Sequence, residues 1–161
     1  MPKQSVFDLS QQVGKMLLTH QWQCAVAESC TGGGLAAAIT ECPGSSAWFD
    51  RGFVTYSNAA KQSMLNVPKQ TLVQYGAVSE ETVRAMAEGA LQASLAQLTV
   101  AISGIAGPDG GTPTKPVGTV WIAWASEFHA TKAHCFLFIG DRSAIRQQSI
   151  EEALLGLIQM G

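Results

Sequence analysis

The chain has 161 residues and a formal charge of −2, with 47% apolar and only 14% charged residues, which excludes an intrinsically disordered protein and disfavours a coiled coil. Ten basic residues against twelve acidic ones provide no basic excess for binding nucleic acid or an anionic membrane surface. A chain of this length predicts one domain over residues 1–161.

Hydrophobic spacing predicts the secondary structure in chain order, beginning with a helix from Ser5 to Leu18. Strands are predicted over residues 24–29, 48–56, 98–103, 117–125 and 131–139, and further helices over residues 32–39, 58–64, 68–76, 79–94 and 141–158. The early alternation of strands and helices indicates parallel strands, and the close spacing of the last two strands indicates a hairpin. The predicted fold class is therefore α/β, a three-layer α/β/α domain around a mixed, mostly parallel sheet with a C-terminal antiparallel hairpin.

Hydroxyl, thiol and glycine residues follow the first predicted strand, in the segment from Glu28 to Gly34. Bare backbone N–H groups at a glycine-rich helix start can hold a phosphate or an oxyanion. The segment matches neither the Walker A loop nor the dinucleotide-binding fingerprint. It predicts either an anion-binding loop or a tight turn that packs a helix closely on the sheet.

A lysine lies near the start of the helix that follows the second predicted strand. With Asn58 as the N-cap, Lys61 falls in the first helical turn, where its charge is poorly matched to the positive end of the helix dipole. A lysine there with a lowered pKa would suit a general base. A lysine on the solvated surface is the alternative interpretation.

The segment of residues 104–116 follows the third predicted strand and contains four glycines and three prolines. A long loop of this kind within a compact domain usually binds a ligand or is disordered. Ligands of open α/β sheets bind outside the carboxyl ends of the parallel strands. Because all three unusual segments follow predicted strands, we expect them to meet at that edge.

Four motifs in these segments together closely resemble the CinA C-terminal-domain family, in order and with the family's spacing. They are AESCTGG at residues 27–33, GFVTYSNAAK at 52–61, GAVS at 76–79, and GIAGPDGGT at 104–112 followed by KPVG at 115–118. The chain is similar to the stand-alone members, the nicotinamide-nucleotide amidases. The resemblance implies that nicotinamide mononucleotide and water give nicotinate mononucleotide and ammonia, in pyridine nucleotide salvage, without a metal or organic cofactor.

Hydrolysis of an amide without a metal requires an activated nucleophile, a base and an oxyanion hole. No histidine falls in the three loops, so the hypothesis uses Ser29 as nucleophile and Lys61 as the base that accepts its proton. Tyr56 would hydrogen-bond to one of them or shuttle the proton. A rival assignment makes Cys30 the nucleophile, with Glu28 and Lys61, and in a third Ser29 only positions an attacking water.

Substrate binding is assigned to backbone groups of the glycine loops. The N–H groups near Gly32 would hold either the oxyanion or the phosphate, and the loop of residues 104–112 would take the other role, with Lys115 as a phosphate partner. The predicted substrate-binding residues are Thr31, Gly32, Gly33, Asn58, Gly104, Gly107, Gly110, Gly111, Thr112 and Lys115.

The same loops would also serve a non-catalytic nucleotide-binding sensor or a partner-docking module, which would not require the pair of Ser29 and Lys61. A DNA-repair accessory role is a third alternative, disfavoured by the pI of about 5.9. We expect a small-molecule nucleotide as partner, no nucleic acid or membrane, and no metal, since the histidines and cysteines lack ligand spacing. Without a signal peptide or membrane span we expect a cytoplasmic protein. The aromatic strand of residues 117–125 suits the core or a homodimer interface.

Overall fold

The computed structural model describes residues 2–161. Its strands are β1 (Cys24–Glu28), β2 (Phe49–Val54), β3 (Leu98–Gly104), β4 (Thr119–Ser126) and β5 (Lys132–Leu137). Its α-helices are α1 (Val6–His20), α2 (Gly34–Thr40), α3 (Asn58–Leu65), α4 (Lys69–Tyr75), α5 (Glu80–Gln92) and α6 (Arg142–Ile158). Every predicted strand and helix is present, and no end differs from its predicted position by more than two residues. No helix within residues 2–161 is long and apolar enough to cross a membrane.

The five strands form one mixed sheet in the order β2-β1-β3-β4-β5. β1 is parallel to both β2 and β3, whereas β4 is antiparallel to both β3 and β5. The predicted α/β class, with a mixed sheet and a C-terminal hairpin, is confirmed, and the pairings divide evenly between the two directions. Because β1, β2 and β3 run the same way, the segments after Glu28, Val54 and Gly104 leave the sheet at a common edge.

Two apolar clusters cover the two faces of the sheet. One joins α1, α2 and α6 to side chains such as Val100 and Ile102 of β3. The other joins α3, α4 and α5 to the opposite face, to which Ala101 of β3 points. This alternation along β3 is the period of two that a strand imposes on its side chains. Trp124 is 8% exposed and its Nε1 donates to the carbonyl of Ala153 at 3.0 Å, so it belongs to the core.

The sequence analysis predicted Asn58 as the N-cap of helix α3, but the N-cap in the structure is Ser57. Ser57 has the extended backbone of an N-cap, and its hydroxyl accepts a hydrogen bond from the N–H of Ala60 at 3.0 Å, whereas Asn58 is already helical. Lys61 is therefore the fourth residue of α3. Side chains of a helix tilt toward its N-terminus, so the Lys61 side chain runs back toward the end of β2.

Candidate active site

A pocket of about 280 Å³ lies at the carboxyl edge of the parallel strands, and all three predicted loops reach it. Ser29 comes from the end of β1, Tyr56 and Lys61 come from the segment after β2, and Gly104 ends β3. Grooves of about 610 and 570 Å³ lie elsewhere on the surface, but neither contains residues from these loops. The chemistry of the lining residues, rather than volume, therefore selects the smaller pocket.

Ser29 and Lys61 are in direct contact at the base of this pocket. Lys61 Nζ donates to Ser29 Oγ at 3.0 Å, and it also donates to the carbonyls of Thr55 at 2.9 Å and Tyr56 at 3.1 Å. The Lys61 side chain is only 1% exposed, so the alternative of a solvated surface lysine is wrong. The short segment between β2 and α3 thus supplies both carbonyls that position the amine against the hydroxyl.

Burial lowers the pKa of the Lys61 amine from its ordinary value of 10.5, and the nearby Cys30 thiol only partly opposes this change. None of the ion pairs among residues 2–161 includes Lys61. A lysine without a carboxylate partner, removed from water, is held toward its neutral form. A neutral amine is the form that can accept a proton from a hydroxyl.

The N-terminus of α2 is occupied by a side chain of the protein. Both carboxylate oxygens of Glu28 accept hydrogen bonds there, from the N–H of Leu35 at 2.8 Å and of Ala36 at 3.0 Å. The Gly32 N–H donates to the carbonyl of Ser29 at 3.0 Å. The N–H groups of Gly32, Leu35 and Ala36 are therefore not free for a phosphate or an oxyanion. Thr31, Gly32 and Gly33 do not line the pocket.

Cys30 lines the pocket, but its thiol is poorly suited to act as a nucleophile. Burial raises the pKa of this thiol to about 11, with small opposing effects from nearby N–H groups and from Arg146. Thiolate is the reactive form, so a thiol with this pKa stays protonated at neutral pH. The Glu28 carboxylate that the rival assignment needs as a partner is committed to the start of α2. The geometry thus favours Ser29 over Cys30.

The Tyr56 and Asn58 side chains do not take the positions that the sequence suggested. The Tyr56 phenol is 62% exposed, and its oxygen accepts a hydrogen bond from Arg142 Nη2 at 3.3 Å, so only the Tyr56 carbonyl contacts Lys61. The Asn58 side chain is exposed on α3. Only its backbone carbonyl accepts a hydrogen bond, a weak one from Gln62 Nε2 at 3.4 Å. Neither side chain bonds to Ser29 or Lys61 among the described residues.

Arg142 is a pocket residue that the sequence analysis missed. It begins α6, lines the pocket, and donates from Nη1 to the carbonyl of Gly107 at 2.8 Å. The signal that singled out Lys61, a cation near a helix N-terminus, applies equally to Arg142. Other lining residues that were missed include Ala77, Val78, Ser103 and Asp109.

The loop after β3 divides into a part that lines the pocket and a part that does not. Gly104, Gly107 and Gly110 line it, but Gly111, Thr112 and Lys115 do not. The Thr112 N–H donates to the carbonyl of Lys115 at 2.8 Å, closing a separate turn.

Lys115 does not face the pocket, because its Nζ donates to the carbonyl of Tyr75 at 3.1 Å. The base of the loop is held by two backbone hydrogen bonds, from Ile105 to Thr119 at 2.9 Å and from Gly118 to Ile105 at 2.8 Å. The loop is therefore ordered, and the alternative of a disordered segment is wrong. No group of three His, Cys, Asp or Glu side chains in residues 2–161 could hold a metal ion.

The pattern of similarity to known proteins covers nearly the whole chain. A profile of the CinA C-terminal domain matches residues 6–160. The nicotinamide-nucleotide amidohydrolase PncC of Pseudomonas putida is 53% identical over 95% of both chains, and that of Escherichia coli K12 is 52% identical over 99% of this chain and 96% of its own. The crystal structure of the competence/damage inducible protein CihA from Agrobacterium tumefaciens has a TM-score of 0.95 and 41% identity, covering 99% of this chain and 98% of that one. This chain therefore belongs to the CinA C-terminal domain family.

Proposed function

We propose that this protein is an amidohydrolase that converts nicotinamide mononucleotide to nicotinate mononucleotide and ammonia. The observation that carries the proposal is the 3.0 Å contact between Ser29 Oγ and the buried amine of Lys61 at the base of a pocket. We take the substrate from the names of two relatives that are more than 50% identical to this chain. The reaction recycles the nicotinamide group in pyridine nucleotide salvage.

In the first step Lys61 acts in its neutral form. Its two N–H bonds point to the carbonyls of Thr55 and Tyr56, which leaves the lone pair of Nζ facing the hydroxyl of Ser29. Ser29 Oγ attacks the carboxamide carbon as its proton passes to Nζ. Burial lowers the pKa of the amine, which increases the fraction of Lys61 in the neutral form that can accept this proton.

The carbonyl oxygen of the substrate becomes an oxyanion when Oγ bonds to the carbon. The amide N–H that follows a serine nucleophile commonly stabilises such an oxyanion. Here that group is the N–H of Cys30, which donates to no carbonyl among the described residues and belongs to a residue that lines the pocket. Cys30 therefore serves through its backbone, and its thiol has no role in the reaction.

In the next step the C–N bond breaks. The ammonium of Lys61 gives its proton to the departing nitrogen, which leaves as ammonia, and Ser29 is left as an ester of the nicotinate group. Water then attacks the ester carbon and gives a proton to Lys61, which returns it to Ser29 Oγ as the product leaves as the carboxylic acid. The acid then loses its proton to the solvent and becomes the carboxylate. Each residue ends in its starting state, and no metal ion takes part in these steps.

Arg142 binds the anionic end of the nucleotide. Arg142 lines the pocket, and its guanidinium donates to the Gly107 carbonyl and the Tyr56 phenol. Arginine is well suited to phosphate because its planar fork gives two parallel donors. Gly104 has no side chain because an added Cβ would lie 2.6 Å from Val120 Cγ2 and 2.9 Å from the Thr119 carbonyl oxygen, so this glycine lets the end of β3 pack closely on β4 beside the pocket.

The test is the release of ammonia from nicotinamide mononucleotide by the purified protein. Ser29→Ala is the matched control, because it removes one oxygen atom and leaves the pocket otherwise unchanged. Ammonia released by the wild type and not by Ser29→Ala supports the proposal. Binding of the nucleotide without ammonia would instead indicate the non-catalytic sensor. Parallel assays with free nicotinamide and with the dinucleotide define the substrate range.

A further inference from the structure

Arg146 is a charged residue that no step of the proposed reaction uses. It lies one turn after Arg142 on α6, but unlike Arg142 it does not line the pocket. No ion pair among residues 2–161 includes Arg146, and its Nε is buried without a hydrogen-bond partner among these residues. Burying part of a guanidinium without a carboxylate costs free energy. A neutral amide could tie α6 to its neighbours at a lower desolvation cost, so the charge itself indicates a use.

A chain of hydrogen bonds leads from Arg146 to the loop after β1. Arg146 Nη2 donates to the Thr31 carbonyl at 3.1 Å. The N–H of the same peptide group belongs to Gly32, and it donates to the Ser29 carbonyl at 3.0 Å. That carbonyl shares its peptide group with the N–H of Cys30. Two peptide groups in series therefore join the guanidinium to the N–H that follows the nucleophile.

The backbone of the loop holds these two peptide groups in place. Gly32 has a φ of +57°, in the left-handed region, and an added Cβ would lie 3.6 Å from Arg146 Nη2. The Thr31 carbonyl also accepts a hydrogen bond from the N–H of Gly34 at 2.9 Å, so both of its lone pairs are used. The Cys30 N–H donates to no carbonyl among the described residues. The chain therefore ends in a donor that is available to the substrate.

A cation at the start of such a chain strengthens the donor at its end. A hydrogen bond to a peptide carbonyl polarises the peptide group, and its N–H then becomes a stronger donor to the next carbonyl. The charge also acts on Cys30 directly, because Arg146 lowers the pKa of the Cys30 thiol by more than the Glu28 carboxylate raises it. Of these two side-chain charges, the positive one thus has the larger effect at Cys30.

We propose that Arg146 is a positioning residue for the oxyanion, and that it orients and polarises the Cys30 N–H through the peptide groups that follow Thr31 and Ser29. The inference rests on the proposed function, because it requires Ser29 as the nucleophile. The ground-state carbonyl oxygen carries little charge, so the effect of Arg146 grows as the oxyanion forms. Losing an interaction made only in the transition state lowers kcat and leaves KM unchanged.

The first test compares Arg146→Lys with Arg146→Met, whose side chains have similar lengths but differ in charge. The lysine variant keeps a cationic donor and should retain at least about a third of the wild-type kcat. The methionine variant should lower kcat by about tenfold or more and keep KM within about twofold of the wild type. An equal loss of kcat in both variants, or a loss that appears in KM alone, would overturn the proposal.

Arg84→Met is the matched control for the loss of an arginine. Arg84 Nη1 also donates to a backbone carbonyl, that of Thr131, at 2.6 Å. It borders a different groove and not the pocket of Ser29. Its kcat should equal that of the wild type, which would show that losing an arginine bond to the backbone does not by itself slow the reaction.

The second test replaces the substrate by pyridine-3-boronic acid, which carries boron where nicotinamide carries its carboxamide carbon. Ser29 Oγ forms a bond to boron as its proton passes to Lys61, and the adduct is a tetrahedral boronate anion that resembles the oxyanion intermediate. Boron NMR distinguishes this adduct from the free trigonal acid. Arg146→Met should raise the Kd of the adduct at least about tenfold, whereas Arg146→Lys should stay within about threefold of the wild type. Ser29→Ala should form no adduct.

Thermal unfolding controls for a purely structural role. Both Arg146 variants lose the guanidinium, so they should unfold at similar temperatures, and a difference in kcat between them then reflects charge. Should Arg146→Met fail to fold, Arg146→Gln takes its place, because its amide is a neutral donor, and the same difference from Arg146→Lys is expected.

The two probes separate failure of this inference from failure of the proposed function. An adduct whose affinity depends on Arg146, in a protein that releases no ammonia from nicotinamide mononucleotide, would support the inference and reject the substrate. Ammonia release that requires Ser29, with a boronate affinity that Arg146→Met leaves unchanged, would overturn the inference and leave the proposed function in place. A wild type that neither releases ammonia nor forms the adduct would overturn both.

Discussion

Ser29→Ala and Lys61→Met should each lower kcat, and the double variant should be hardly slower than either single variant. The two groups share one 3.0 Å hydrogen bond, so removing either leaves the other without a partner for proton transfer. A loss of about 10³-fold for each single variant corresponds to about 4 kcal/mol of barrier height. Independent contributions would sum to about 8 kcal/mol, or roughly 10⁶-fold, whereas residues acting as one unit stay near 10³-fold.

The variants should remain folded, which makes the comparison interpretable. Ser29→Ala removes one hydroxyl that is 8% exposed, at a cost of about 1 kcal/mol in the free energy of unfolding. Lys61→Met keeps the length of the side chain but leaves the carbonyls of Thr55 and Tyr56 without this donor, at about 1–3 kcal/mol each. Relief from burying an amine offsets part of that cost. Circular dichroism and thermal unfolding check the fold before any rate is compared.

The assay is steady-state ammonia release from nicotinamide mononucleotide, combined with calorimetric binding of the nucleotide to each variant. Lys69→Met is the matched control for the charge, since Lys69 is exposed on α4, and its rate should equal that of the wild type. Ser29→Ala should still bind the nucleotide, because the contacts to phosphate do not need the hydroxyl. A double variant about 10⁶-fold slower than the wild type would refute the view that the two groups act as one unit.

Four further predictions concern the same site. Cys30→Ala should keep kcat within about tenfold of the wild type, because a buried thiol with its pKa raised to about 11 is not the nucleophile; an inactive Cys30→Ala beside an active Ser29→Ala would reassign the roles. Because burial lowers the folded-state pKa of Lys61 while the unfolded chain keeps about 10.5, the unfolded state binds more protons between the two values. The free energy of unfolding should therefore rise with pH between the folded-state pKa of Lys61 and about 10.5, and this contribution should be lost as the pH falls to the folded-state pKa. Urea titrations at several pH values should show this slope for the wild type and not for Lys61→Met. Glu28→Gln should cost about 2–3 kcal/mol of stability in the same titrations, since the amide nitrogen cannot accept from the N–H groups at the start of α2. Exhaustive chelation should leave ammonia release unchanged, and a loss that a divalent metal restores would contradict the metal-free mechanism.

Local patterns in the sequence were sufficient to identify the helices and strands and the edge of the sheet where the site lies. Strand periodicity and the alternation of strands and helices imply parallel strands, and parallel strands must end at one edge. Ser29 and Lys61 were singled out because each residue type was unusual for its position. That reasoning places both side chains in one region, but it contains no distance between them.

Partners that are distant in the chain had to come from the tertiary structure. Arg142 reaches the Tyr56 phenol across 86 positions of sequence, and no local pattern near either residue indicates the other. The depth at which Lys61 lies, and hence its lowered pKa, depends on helices packed around it from elsewhere in the chain. Burial of a side chain is a property of the assembled layers and not of its own helix.

The start of α2 illustrates the same limit over a short distance. The sequence alone predicted a glycine-rich helix start with free N–H groups. In the structure the Leu35 N–H donates to Glu28, which lies only seven positions earlier in the chain. Whether a carboxylate reaches those groups depends on the direction in which the last residue of β1 points once the strand is seated between β2 and β3. In the folded protein Glu28 points to the helix and satisfies its amides, because a fully buried carboxylate must be hydrogen-bonded. Composition and spacing determine which groups are available, and only the packed sheet decides which of them meet.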